Sequence, residues 1–392
     1  MTEAIAIVGA KRTPMGGFQG ELAPLSAPTL GGHAIRAALD DAGLDGADVD
    51  EVLMGCVLPA GQGQAPARQA AHAASLPWSV PATTVNKMCG SGMRTVMEAA
   101  TMLRAGAADI VVAGGMESMT NAPYLLPKMR GGARLGHAGA IDHMFLDGLE
   151  DAYEAGRLMG SFAEDCARHY QFGREAQDAY ALASLERATR AEADGRFADE
   201  IAPIDVASRK ATQTVASDEQ PRLARPDKIP QLKPAFAADG TVTAANASSI
   251  SDGAAALVLM RESDARARGL TVRARLTAQA GHGQEPGWFT TAPVPAAQKV
   301  LDRLGWRAAQ VDLYEVNEAF AVVPMAFMRE LGVDHDRVNI HGGACALGHP
   351  IGASGARILV TLLNALESHD KRTGLASICI GGGEATAVAM ER

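Results

Sequence analysis

Two distant stretches of the chain share one order of elements, and this repeat constrains the fold most. "SGMR" at 91–94 opens an alanine-rich helical stretch that leads into the strand-like "DIVVAGG". "SGAR" at 354–357 leads in the same way into the strand-like "SICIGGG", and the two spacings differ by only a few residues. Self-similarity of this kind indicates one supersecondary unit used twice. The sequence therefore predicts two related halves of the strand–helix–strand type.

Alternating strands and helices elsewhere extend this pattern to an α/β protein. "EAIAIVGAKR" reads as a strand, "TLGGHAIRAALDDAG" as a helix and "VDEVLMG" as a strand again. Between Met119 and Ser249 the pattern loosens into proline-rich and basic stretches around one long charged helix, "GREAQDAYALASLERATRAEADGRF". A chain of 392 residues has room for two or three lobes. The predicted division is 1–118 plus 250–268 as the N-terminal half, 119–249 as an inserted loop domain, and 269–392 as the C-terminal half.

The charge balance and the lack of long apolar runs exclude several classes of protein. The formal net charge is −9, which gives no electrostatic support for a nucleic-acid partner. No apolar stretch approaches the roughly 20 residues that cross a bilayer, and the N-terminus does not read as a secretion signal. We expect a soluble, cytoplasmic protein without a membrane partner.

The cysteines indicate neither disulfides nor a metal site. They are odd in number, widely scattered and without a C-x-x-C pair or a Cys/His cluster at zinc spacing. The five are Cys56, Cys89, Cys166, Cys345 and Cys379. Most free cysteines are small buried apolar groups, and Cys56 and Cys166 are read in that way.

Cys89, in "NKMCGSGMR", differs because it stands at the start of a predicted helix. Backbone N–H groups at a helix start favour a thiolate, so the pKa of Cys89 is expected to fall. Gly90 and Gly92 remove side chains that would block a bulky electrophile. The same glycines also fit a tight contact between a helix and a strand, and both interpretations stay open at this point.

Three other polar residues stand in glycine-rich or apolar surroundings. Asn317 lies in "YEVNEAFA", His349 in "GHPIGASGAR" and Cys379 in "SICIGGG". Taken singly, these residues read as a helix cap, a structural histidine and a core cysteine. Together with Cys89 they indicate a catalytic site.

Seven segments in this order resemble the thiolase family nearly end to end: "RTPMGGFQG", "NKMCGSGMR", "GGMESMTNAPYLLP", "NASSISDGAAA", "EVNEAFA", "GHPIGASGAR" and "CIGGGEA". The resemblance implies a layered αβαβα fold and acyl transfer between CoA thioesters through an acyl-cysteine, by Claisen condensation of two acetyl-CoA or by thiolysis of a 3-ketoacyl-CoA. It implies that Cys89 is the nucleophile, His349 its base and Cys379 the acid and base at the α-carbon. His349 and a water on Asn317 resemble one oxyanion hole, and the N–H groups of Cys89 and Gly381 a second.

The resemblance also implies residues that bind coenzyme A. Ser248 would contact the pantetheine arm, Arg222 would lie near the phosphates, and Phe236 and Phe320 would flank the channel. Leu158 and Met159 would line the thioester arm, and Leu158 stands where many short-chain members have a histidine. His341 and Cys345 also depart from the family pattern. His341 is either a second polar group near the site or a loop filler, and the second interpretation is preferred.

The implied substrates are CoA and acyl-CoA, with no permanently bound cofactor and no metal, and the implied assembly is a homodimer or homotetramer. "PKMRGGARLGH" falls where the family has its tetramer loop. The short-chain reaction is preferred, and a longer-chain 3-ketoacyl-CoA thiolase is the alternative. A carrier-protein ketoacyl synthase, a non-catalytic acyl-CoA-binding relative and a cysteine hydrolase are the other classes considered.

Overall fold

A ten-stranded mixed β-sheet runs through the computed structural model, which describes residues 3–207 and 211–392. The strands are β1 (Ile5–Arg12), β2 (Gly16–Gly17), β3 (Glu51–Gly55), β4 (Ala82–Val85), β5 (Ile110–Ser118), β6 (Tyr124–Leu125), β7 (Ile141–Asp142), β8 (Ile204–Ala207), β9 (Thr212–Val215), β10 (Ser251–Arg261), β11 (Ala274–Gly283), β12 (Leu313–Val316), β13 (Thr373–Ile380) and β14 (Glu384–Glu391). The α-helices are α1 (Ala27–Ala42), α2 (Pro66–Ala73), α3 (Ser91–Arg104), α4 (Met159–Tyr170), α5 (Arg174–Ala193), α6 (Glu219–Leu223), α7 (Glu262–Ala267), α8 (Pro293–Leu304), α9 (Val322–Leu331), α10 (Ala344–Leu347) and α11 (Ile351–Ser368).

The order of the strands repeats on either side of the sheet's centre. The sheet reads β4-β3-β5-β10-β1-β11-β14-β13-β12, with β2 beside β10. Going outward from β1, the pairs β1–β10 and β10–β5 are antiparallel and the pair β5–β3 is parallel. Going outward from β11, the pairs β11–β14 and β14–β13 are antiparallel and the pair β13–β12 is parallel. β1 and β11 are themselves antiparallel neighbours. The prediction of two related halves is confirmed, and the structure adds that the halves join edge to edge.

Three hydrophobic clusters separate the helices into layers. Side chains of α3 and α11 pack against one face of both halves of the sheet. Helices α1 and α2 cover the other face of the first half, and α4, α8 and α9 cover the other face of the second half. The layers therefore follow the order helix, sheet, helix, sheet, helix, as expected for an αβαβα fold.

Glycines let the two central helices approach closely. A Cβ added at Gly92 would lie 2.8 Å from the backbone nitrogen of Ala356, and one at Gly355 would lie 2.4 Å from that of Met93. Such distances exclude a side chain, so Gly92 is required by the contact between α3 and α11. Of the two interpretations of this glycine, the structure supports tight packing rather than an open path to the thiol.

Residues 119–249 carry helices α4 to α6 and the small sheets β6–β7 and β8–β9. Strand β10 then returns to the first half, between β1 and β5. The domain boundaries drawn from the sequence remain a prediction. Within the described ranges, no helix is both long enough and apolar enough to cross a membrane.

Candidate active site

A tight turn between β4 and α3 presents Cys89 to a cavity. Met88, which precedes it, has a φ of 46°, a left-handed conformation that is uncommon for a residue with a side chain. The side-chain oxygen of Asn86 accepts a hydrogen bond from the Met88 N–H at 3.0 Å and supports this turn. Helix α3 begins two residues after the thiol, at Ser91.

The cavity has a volume of about 480 Å³ and brings most of the predicted site residues together. Cys89, His349 and Gly381 line it. So do all but one of the residues predicted to bind coenzyme A, namely Ser248, Leu158, Met159, Phe236 and Phe320. Among the described residues that form its wall there is no lysine or arginine. The cavity therefore suits an uncharged thioester arm better than a phosphate.

Burial decides the protonation state of Cys89. Enclosure by protein raises the pKa of the thiol to about 11, although the backbone N–H groups of Gly381 and of Cys89 itself favour the thiolate. The charge of Glu117 raises the pKa further. The expectation that the helix start lowers this pKa is therefore wrong, because desolvation outweighs the nearby N–H groups. Cys89 is a thiol at neutral pH and needs a base.

His349 offers such a base because its other ring nitrogen is already engaged. Ser354 donates its hydroxyl to the Pro350 carbonyl at 2.9 Å, so its oxygen accepts the Nδ1–H of His349 at 2.5 Å. This tautomer leaves Nε2 as an acceptor, and Nε2 is buried without a hydrogen-bond partner among the described residues. Burial, aided by the charge of Arg357, lowers the pKa of His349 to about 3. The imidazole is therefore neutral at physiological pH.

Cys379 and Asn317 lie behind the cavity wall rather than on it. Cys379 is fully buried at the end of β13, and its pKa is raised well above the ordinary value by burial and then by the charge of Cys89. Asn317 follows β12 and is fully buried, with neither side-chain polar atom bonded to a described residue. A buried amide without partners is costly, so such a group indicates a site for a polar ligand or water. α9 begins only at Val322, so Asn317 is not its cap.

Glu318 fixes the loop that carries His349. Its carboxylate accepts hydrogen bonds from the Tyr180 hydroxyl at 2.9 Å and the Ser184 hydroxyl at 2.8 Å. It also accepts from the Asn339 amide at 2.9 Å and the Cys345 N–H at 3.0 Å. Neither this role nor that of Ser354 was predicted from the sequence. The only signal for Ser354 was a hydroxyl residue one turn into the helix that follows His349.

Of the residues predicted to contact coenzyme A, some line the cavity and one lies away from it. The Ser248 hydroxyl donates to the Ala319 carbonyl at 3.0 Å, and Phe236 and Phe320 meet edge to face with their centroids 6.0 Å apart. Arg222 does not line the cavity, and its guanidinium is 2.5 Å from the Glu21 carboxylate. Its contact with phosphates remains a prediction.

Comparisons with known proteins agree with this architecture. The family description "Thiolase, N-terminal domain" matches residues 5–263, and "Thiolase, C-terminal domain" matches residues 270–392. The chain belongs to the thiolase family.

Its relatives include the acetyl-CoA acetyltransferase of Pseudomonas aeruginosa, 50% identical over 390 residues with 99% of each chain covered. The probable acetyl-CoA acetyltransferase of Escherichia coli is 48% identical over 389 residues, again with 99% of each chain covered. The crystal structure of the Bacillus anthracis acetyl-CoA acetyltransferase has a TM-score of 0.97 at 38% identity and covers 100% of this chain and 99% of that one.

Proposed function

We propose that this protein is an acyltransferase that condenses two acetyl-CoA molecules into acetoacetyl-CoA and CoA, and catalyses the reverse thiolysis. The observation that carries the proposal is a cavity in which a protonated thiol, Cys89, shares the wall with the neutral imidazole of His349. Relatives named acetyl-CoA acetyltransferase, about half identical over nearly the whole chain, support this reaction over the longer-chain alternative. CoA and acyl-CoA are then substrates, and thiolases in general need no permanently bound cofactor.

In the first half of the reaction, the sulfur of Cys89 attacks the thioester carbonyl while Nε2 of His349 takes its proton. The bond from the carbonyl carbon to the sulfur of CoA breaks, and the leaving thiolate takes the proton back from His349. The backbone N–H groups of Cys89 and Gly381 favour negative charge at this point and would stabilise the tetrahedral oxyanion. Cys89 is left carrying the acyl group.

In the second half, the thiol of Cys379 gives its proton to the neutral imidazole of His349, and the resulting thiolate removes a proton from the α-carbon of acetyl-CoA. His349, together with a water held by the unpaired amide of Asn317, would stabilise the enolate oxygen. The α-carbon attacks the carbonyl of the acyl-cysteine, and the sulfur of Cys89 departs and takes a proton from His349. Thiolysis follows the same steps in reverse.

Incubation with acetoacetyl-CoA, with and without free CoA, tests the proposal. A thiolase consumes acetoacetyl-CoA only when CoA is present and forms two acetyl-CoA. A hydrolase would release CoA unaided, and a binding protein would do neither. A series of 3-ketoacyl-CoA substrates compared by kcat/KM is expected to favour the four-carbon member, and a maximum at longer chains would support the alternative.

The same proposal includes a homo-oligomer that works in the cytoplasm. The segment before α4 exposes large apolar side chains to solvent, including Tyr124, Leu126, Met129 and Leu135. Exposed apolar groups in one segment are typical of a contact between proteins. The five free cysteines suit a reducing compartment. Sedimentation analysis is expected to give a dimer or tetramer, and a monomer would contradict this part.

A further inference from the structure

A second cavity, of about 330 Å³, lies between α5, the loop before α10 and the turn after α11. Its wall shares no residue with that of the active-site cavity. The charged and titratable groups in the wall are Arg187, Arg190, Arg196, Lys371, His341, His369, Asp194 and Asp336. Among the residues that the structure describes, lysine and arginine outnumber aspartate two to one in this wall.

The cations of this basic cavity are poorly neutralised. Arg187 donates to the carbonyls of Val338 at 2.7 Å and His335 at 3.0 Å, and Arg196 donates to the Ser368 carbonyl at 3.0 Å. Within residues 3–207 and 211–392, neither arginine forms an ion pair with a carboxylate, and neither does Lys371.

In the part of the chain that the structure describes, Arg190 has only a long ion pair, 3.7 Å, with the exposed Glu186. Carbonyl oxygens satisfy N–H donors but leave the net charge in place. Positive charge therefore faces the cavity.

The same wall contains a buried histidine, His341. His341 is 3% exposed, and its Nε2 lies 3.0 Å from Nε2 of His369. Nδ1 of His341 is buried and has no hydrogen-bond partner among the described residues. Burial, together with the charges of His369, Arg196 and Arg190, lowers the pKa of His341 to about 4. The cations of the wall thus help to keep this imidazole neutral, and their charge favours a ligand that carries negative charge.

We propose that this basic cavity binds a small anion of the phosphate class through the side chains of Arg196 and Lys371. Guanidinium groups match the oxygens of phosphate in geometry as well as charge, and charge-assisted hydrogen bonds are about twice as strong as neutral ones. The cavity exceeds the size of one phosphate, so either free phosphate or a phosphorylated small molecule is accommodated. The proposal does not depend on the proposed acyl transfer.

Isothermal titration with inorganic phosphate, pyrophosphate and ADP, in a buffer free of phosphate, tests this site. The double variant Arg196→Gln, Lys371→Gln is expected to lose at least about tenfold in affinity, as expected for removing charge-assisted bonds. The matched control is Lys299→Gln, Arg303→Gln on α8, where both side chains donate to backbone carbonyls, as Arg196 does. The control removes the same charge and is expected to bind like the parent protein.

The outcomes separate the sources of the ligand. Tightest binding of inorganic phosphate assigns the site to the free ion, and tighter binding of pyrophosphate or ADP assigns it to a phosphorylated molecule. Absence of binding by all three probes, or equal losses in the double variant and its control, overturns the proposal.

Chemical protection gives a second measurement on the unmutated protein. Acylation of Lys371 by an amine-reactive ester, mapped by mass spectrometry, is expected to slow when pyrophosphate is present, while acylation of Lys299 stays constant. Equal rates at Lys371 with and without pyrophosphate would count against the site.

Discussion

Replacing Ser354 by alanine tests whether the tautomer of His349 matters for catalysis. The Ser354 oxygen is the only described partner of Nδ1 of His349, at 2.5 Å, and Ser354 is fully buried. Without that acceptor, the ring is free to carry its proton on Nε2, where it can no longer take the proton of Cys89. The hydroxyl also holds the ring in place while it becomes positively charged.

The size of the effect follows from the geometry. A hydrogen bond to a charged group is worth about 1.5–3 kcal/mol, and each 1.4 kcal/mol of barrier changes a rate tenfold. We therefore expect kcat to fall roughly 10- to 150-fold. KM should change little, because Ser354 does not line the cavity. Folding should be preserved, because the Pro350 carbonyl keeps its hydrogen bond from the Ser354 N–H at 3.0 Å.

Steady-state thiolysis of acetoacetyl-CoA gives kcat and KM for the variant. Ser368→Ala is the matched control, since Ser368 lies at the other end of α11 and also bonds to a carbonyl of its own helix. The control should retain parental kinetics. A Ser354→Ala enzyme with kcat within threefold of the parent would refute the tautomer argument.

Four further changes have defined outcomes. Cys379→Ala should still become acylated by acetyl-CoA but turn over extremely slowly, and near-normal turnover would contradict the two-thiol assignment. Alkylation of Cys89 by iodoacetamide should accelerate about tenfold per pH unit between pH 7 and 10, because the raised pKa leaves little thiolate at neutral pH; a rate independent of pH would show a preformed thiolate. Leu158→His should add a polar contact to the thioester arm. One added hydrogen bond is worth about 1 kcal/mol, so KM for acetoacetyl-CoA should fall severalfold while kcat stays unchanged. An unchanged KM would exclude that contact. Arg12→Met should lower the free energy of unfolding by about 3–5 kcal/mol, because Arg12 is fully buried and bonds to two carboxylates that would be left unpaired. The loss should be smaller at pH 5, because burial raises the pKa of Glu200 and removal of Arg12 takes away the charge that lowers it, so that Glu200 takes up a proton more readily; urea unfolding at two pH values measures both.

The sequence predicted those features of the fold that depend on local pattern. The "SGMR" and "SGAR" motifs lie at the starts of α3 and α11, which pack together at the centre, and the helix predicted around 173–197 is α5. Hydrophobic periodicity does not report which strand edges meet. The pairing of β1 with β11 was therefore not predicted.

Which residues meet at the cavity was predicted in part from the sequence, but their protonation states were not. Cys89, His349 and Gly381 meet at one cavity, as expected from the motifs. The direction of the Cys89 pKa shift was wrong, because desolvation depends on groups from distant parts of the chain that enclose the sulfur. The charge of Glu117, from the end of β5, adds to this effect. The sequence around a cysteine does not show which distant residues will surround its sulfur in the fold.

The central position of β1 delays assembly as the chain leaves the ribosome. Its two neighbours, β10 and β11, begin at Ser251 and Ala274. The backbone N–H and C=O groups along the edges of Ile5–Arg12 must therefore stay unpaired until the chain has been translated beyond Ser251. Contacts this distant in sequence close slowly, and an unpaired strand exposed for that time is prone to aggregate. Newly made chains are thus expected to depend on chaperones more than their final stability would suggest.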